Sequence, residues 1–146
     1  MTTATYQDVR GPIERLTRQA LVTEGFSASN IFLDNAYQEP PYSKTPWATI
    51  TISFPESSVD NIGCAPWERI VGTCVVTIYS PRQTGSGVPE RYASAVLRAW
   101  IAAASEPWKD PICFHTTQRE GPIHYNSQTS PAHLATTVNC RFTAQV

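Results

Sequence analysis

Apolar residues near the start of the chain recur at helical spacing. Val9, Ile13, Leu16 and Ala20 fall at steps of four, three and four, which places them on one stripe. This predicts a helix from about Tyr6 to Glu24, ended by Gly25. The Gly11-Pro12 pair interrupts the pattern, because a proline in a helix interior lacks the backbone donor, and it predicts a kink or a restart there. The short run Ile31-Phe32-Leu33 predicts a brief strand, followed by an irregular loop that passes Pro40-Pro41 and reaches Pro46.

From Trp47 the period changes to two. Ala48, Ile50, Ile52 and Phe54 alternate with Trp47, Thr49, Thr51 and Ser53, the signature of a strand with one buried face. Pro55 to Pro66 is polar, holds Gly63 and reads as a long connection. The β-branched run from Arg69 to Tyr79, closed by Pro81, predicts a second long strand that pairs antiparallel with the first. After Thr84-Gly85-Ser86-Gly87, Pro89 suits the first turn of a helix in which Tyr92, Val96, Ala99, Trp100 and Ala103 recur at helical spacing up to about Ser105. Glu90 near its start complements the helix dipole.

Pro107 and Pro111 bracket a loop containing Trp108. Three short strands are then expected, at Ile112 to Thr116, about Glu120 to Tyr125, and Leu134 to Ala144. In the last, Leu134, Thr136, Val138, Cys140 and Phe142 share a face. The order of helix, strands, helix, strands lacks the strict alternation of a doubly wound parallel sheet. It predicts an α+β fold, a mostly antiparallel sheet with two amphipathic helices packed on it. A single domain over residues 1–146 is expected, with long loops at about 35–46 and 55–67.

Composition narrows the classes. Hydrophobic residues make up 41% of the 146 and charged residues only 16%, below the roughly 25% usual for soluble proteins, so part of the surface is expected to be neutral and fit for covering by a partner. The formal charge is -1 with no Lys/Arg run, which argues against direct sequence-specific nucleic-acid binding, although a local basic ring made by oligomer symmetry stays open. No stretch approaches the ~20 apolar residues of a membrane span. Cys64, Cys74, Cys113 and Cys140 have no C-x-x-C spacing and no apolar signal segment precedes them, so they are expected to be reduced thiols in a cytoplasm, with Cys74 and Cys140 packing as small hydrophobes.

Candidate chemistry is thin. Gly85-Ser86-Gly87 lies between a strand and a helix as a phosphate loop would, but the third glycine and a Gly-Lys-Ser/Thr are missing, and Pro89 removes a donor. A flexible turn is the alternative. His115, His124 and His133 would meet at a metal only if neighbouring strands aligned them. Cys113 close to His115 suggests a thiol nucleophile, yet residues two apart in a strand merely share a face and no orienting acid is identifiable. Asp34-Asn35 and Asp60-Asn61 read as turn formers. No catalytic, cofactor-binding or metal residues are therefore assigned, and the chain is expected not to be an enzyme. Tyr37, Tyr42, Trp47, Trp67 and Trp108 lie in or beside Pro-rich loops. They either cover the edges of the chain's own core or face a partner, where aromatics are enriched.

The order of these signals resembles that of the tail terminator proteins of long-tailed bacteriophages. The resemblance rests on the N-terminal helix, Ile31-Phe32-Leu33-Asp34-Asn35, and the aromatic loop with Pro46-Trp47. It continues through the strand ending at Phe54, Arg69 to Pro81, and Thr84-Gly85-Ser86-Gly87 before the second helix. It covers roughly residues 6–105 and little of the C-terminal third. It implies a structural virion protein of the tail or neck region, assembled in the host cytoplasm. Six copies would close a ring on the end of the tail tube, stop its polymerisation and meet the head-to-tail connector, without cofactor or catalysis. Tyr37 to Trp47 and Pro55 to Trp67 become candidate docking loops, with Arg69, Arg82 and Arg91 as contacts between subunits or ordinary solvated charges. The rival readings are another head-to-tail connector or minor tail protein, a small enzyme using His115, His124 or Cys113, and a solitary ligand-binding module.

Overall fold

The first helix, α1 (Tyr6–Thr23), is set by its two ends. In the computed structural model, which describes residues 5–33, 46–59, 68–81, 87–105, 112–124 and 133–145, Thr5 Oγ1 accepts the Asp8 backbone N–H at 3.3 Å and the Asp8 carboxylate accepts the Thr5 N–H at 2.7 Å. This reciprocal box satisfies donors that a helix start leaves orphaned. At the other end Gly25 takes φ 105°. The Gly25 N–H reaches the Val22 carbonyl and the Phe26 N–H the Leu21 carbonyl, both at 3.0 Å, while Phe26 and Leu21 bury their side chains. The expected stop at Gly25 is therefore a specific left-handed turn.

The expected restart at Pro12 does not occur. One helix runs through it. Pro12 forgoes the bond to the Asp8 carbonyl, but Gly11 before it has no Cβ to clash with the proline ring. Pro12 is also buried beside Val9 and Ile13 on the packed face. Helix α2 spans Gly87–Ser105, with Pro89 in its first turn as predicted.

A short 3-10 turn leads into β1 (Ile31–Leu33), followed by β2 (Trp47–Val59), β3 (Glu68–Pro81), β4 (Cys113–His124) and β5 (His133–Gln145). The five strands form one sheet in the order β1-β2-β3-β5-β4. Every pair is antiparallel except β1 with β2. The chain is thus an α+β fold with two helices packed on one face of a mostly antiparallel sheet.

Two strand boundaries differ from expectation. β2 does not stop at Phe54 but continues to Val59, so the connection expected from residue 55 begins inside the strand. Its register shifts between Ser53 and Glu56, so Pro55 sits where the ladder is already interrupted and its missing N–H costs no pairing. The two short strands expected after Pro111 are one strand, β4, with register shifts at Phe114/Thr117 and Glu120/Ile123. The second shift absorbs Gly121-Pro122 on an edge strand, where proline is tolerated.

The core lies between the sheet and the helices. Rows of side chains cross the covered face in register: Leu33, Ile50, Val76 and Val138 in one, and Ile52, Cys74 and Cys140 in the next. A further row places Gly72 directly opposite Phe142. A Cβ on Gly72 would stand 2.2 Å from the Phe142 ring, so the glycine is what lets this buried ring lie across β3. Phe142 in turn meets Phe54 edge to face, centroids 5.8 Å apart. Helix α2 lies over β3, β5 and β4, and α1 over β2 and against α2. The helices are joined by a buried relay in which Trp100 Nε1 donates to Thr17 Oγ1 at 3.1 Å, and that hydroxyl donates to the Ile13 carbonyl at 2.8 Å.

Candidate functional site

Strand alternation makes the sheet's second face chemically different from the first. Along β2, β3 and β5 the outward positions are Thr49, Thr51 and Ser53; Val71, Thr73, Val75 and Thr77; and Thr137, Asn139, Arg141 and Thr143. Neither helix covers them, and Thr51, Ser53 and Arg141 are exposed. At one end of this face Phe32, Trp47 and Tyr79 cluster, with Trp47 stacked on Tyr79 at a centroid distance of 3.8 Å and 5.9 Å from Phe32. Trp47 is only 5% exposed. Of the aromatics expected to face either the core edges or a partner, Trp47 is thus enclosed within its own chain. Tyr37, Tyr42, Trp67, Trp108 and Arg82 lie outside the described residues.

The other candidate charges are placed as follows. Arg69 pairs through its backbone with Gln145 in the ladder. Arg91 projects from α2, pairs with Glu24 of α1 at 3.5 Å and lies over the Tyr92 ring at 5.1 Å. Arg91 therefore ties the two helices at the surface, where an ion pair with its guanidinium about half exposed adds at most ~1 kcal/mol.

The three candidate histidines do not converge. His115 is exposed on edge strand β4, its Nε2 2.8 Å from Thr143 Oγ1. His124 pairs with Leu134 in the ladder and His133 with Pro81, at the far end of the β4–β5 pair from Thr143. The histidines thus occupy opposite ends of that hairpin. Among the described residues, no three His, Cys, Asp or Glu side chains group as metal ligands. Cys113 is exposed, whereas Cys74 and Cys140 are buried opposite each other as free thiols, matching the packing role expected for them. Burial pushes the Cys140 thiol up to about 11, against a smaller lowering by a backbone hydrogen bond at His115. Cys64 and residues 84–86 of the glycine loop lie outside the described residues, while Gly87 opens α2.

The surface that sequence reasoning missed is on the helices. Two contiguous open troughs of ≈ 760 and ≈ 370 Å³ flank Leu16 and Gln19, which line both. The first follows α1 from Pro12 to Val22 and Ala28, with Arg15 and Arg18 on it. The second lies between the helices, floored by Ala20, Ala95 and Ala99 and bordered by Glu24 and Arg98. The large apolar side chains exposed among the described residues, Tyr6, Val22 and Ile101, are all on helices, Ile101 being 53% exposed. Spacing alone had assigned α1 one buried stripe. It did not reveal that a neighbouring stripe would be left open beside α2.

No family model matches the chain, and no curated protein matches it either. Twenty-one solved chains do match. One of them superposes over 98% of this chain and 98% of its own length, with a TM-score of 0.58 at 15% identity. Such a likeness shows a shared fold and says nothing of activity. That protein's name attaches no function to it.

Proposed function

We propose that this chain is a structural virion protein, a tail terminator that assembles into a ring on the end of a phage tail tube and meets the head-to-tail connector. The reading rests on the order of elements over residues 6–105, where α1, β1, the β2–β3 pair and α2 follow one another as the resemblance implies. The molecule also has what a closed heterologous ring requires, two dissimilar lateral edges. One edge of the sheet is the three-residue β1 and the other is the twelve-residue, doubly shifted β4.

Light scattering after size exclusion, over a concentration series, tests the reading, together with negative-stain imaging of the protein mixed with tail tubes. Rings of about six copies seated on tube ends, and tubes that stop growing when the protein is added, are expected. A monomer at all concentrations that also ignores tube ends would sink the proposal. Binding to the head vertex without any effect on tube growth would instead favour a neighbouring connector, the alternative closest in physics.

A further inference from the structure

We propose that the outer face of the two helices is a docking surface for an acidic amphipathic helix of a partner protein, seated along the paired troughs at Leu16 and Gln19. The proposal stands apart from the ring reading, since it concerns the helix layer and not the sheet edges.

Charge and shape carry it together. The carboxylates on this layer are engaged: Asp8 caps α1, Glu14 lies 3.9 Å from Arg10, Glu24 lies 3.5 Å from Arg91, and Glu90 also has a partner. Arg15, Arg18 and Arg98 are exposed and pair with no carboxylate among the described residues. Arg98 donates to the Ser94 carbonyl of its own helix, at 3.3 Å. Arg15 and Arg18 stand on one trough and Arg98 on the other. Three guanidinium groups without a carboxylate partner among the described residues thus flank a concave, mostly apolar floor of Leu16, Ala20, Ala95 and Ala99. A helix that presents leucine-like side chains on one stripe and carboxylates beside it complements both features, because helix-in-groove recognition reads anchors at i, i+3, i+4 and i+7. Unpaired arginines at the rim would select acidic over basic partners and steer the encounter.

Two other anionic partners fit less well. Nucleic acid would use the three cations but not the apolar floor, and its binding draws on many phosphate contacts. An anionic membrane would use the exposed Val22 and Ile101, but a flat bilayer surface does not fill a trough.

The test uses the full chain, isotope-labelled, titrated with two synthetic 14-residue helices that share their leucine positions, one with Glu and the other with Lys at every polar position. A DNA duplex and vesicles of anionic phosphatidylglycerol are run in parallel. The Glu peptide is expected to shift the amides of Leu16, Gln19, Ala95 and Ala99, and to bind more weakly as salt rises. Reversing Arg15, Arg18 and Arg98 to Glu lowers its affinity at least about tenfold, and the triple change to Gln lowers it less. The Gln variant decides the matter should the Glu variant lose its dispersed spectrum. Equal binding of the Lys peptide, shifts confined to other elements, no binding of the Glu peptide, or a response to DNA or vesicles alone would each overturn the proposal.

Discussion

The two faces of the sheet are made by alternate residues of the same strands, yet they do different work. On the covered face Ile50, Val76 and Val138 stand in one row and are buried under the helices. On the open face, one residue along each strand, Thr51, Val75 and Asn139 form the corresponding row, and none of them is fully buried. Folding free energy comes mainly from apolar area removed from water, worth ~1.5–3 kcal/mol for each large side chain fully buried. The covered face therefore carries most of this stabilisation, and away from its buried cluster of Phe32 and Trp47 the open face contributes less. The helix layer repeats the contrast, with Trp100 and Leu21 buried inward and Ile101 and Val22 exposed outward.

The largest effect that would break this contrast is Trp100→Ala. It removes the most voluminous fully buried side chain and the donor to Thr17, and is expected to cost ~3–5 kcal/mol in chemical denaturation. Gly72→Ala comes next, since its new methyl must displace the Phe142 ring. A loss of ~1–3 kcal/mol is expected, and an unchanged midpoint would show that β3 and β5 slide apart more easily than their register implies.

Alkali probes the same face. The folded-state pKa of Cys140, about 11, lies above its ordinary 9.0 because burial disfavours the thiolate. Its contribution is complete below pH 9.0 and is lost as pH rises towards about 11, so stability falls over that window. Cys140→Ala should lower stability overall yet flatten part of this decline in denaturation midpoints measured across the window.

Thr136→Val tests the opposite sign. The Thr136 hydroxyl is buried on the covered face without a hydrogen-bond partner among the described residues. Its replacement by a methyl group of similar shape is expected to be neutral or to stabilise by up to ~1 kcal/mol. Smallest of all, Thr51→Ala on the open face is expected to change stability by less than ~0.5 kcal/mol. A loss above that would show the open face to be held by contacts of its own.

Much of this was legible in the residues. The alternation in Trp47 to Phe54 and in Leu134 to Ala144 identified the covered positions, because a half-buried strand must segregate its side chains by twos. The stripe of Val9, Ile13 and Leu16 identified the packed side of α1 for the equivalent reason at a period of 3.6. The errors cluster at prolines. Pro12 and Pro55 read as breaks, yet each lies within an element. Burial, a glycine neighbour or a register shift compensates the missing donor, and only the paired element supplies such compensation. The candidate site was less legible. The open aromatics and arginines chosen from the sequence were picked by residue type, and Trp47 and Arg91 are engaged within the chain. Arg15, Arg18 and Arg98 drew no notice because nothing local shows whether a charge will find a partner.

The sequence by itself determined the kind of the main elements, the strand faces that pack inward and the end of α1 at Gly25, since periodicity and backbone conformation are local properties. Tertiary structure alone decided the strand order, the Gly72–Phe142 close approach, the Trp100–Thr17 bond across 83 positions of chain, and which arginines have no carboxylate partner among the described residues. Those are relations between residues distant in the chain, and they exist only once the chain has packed.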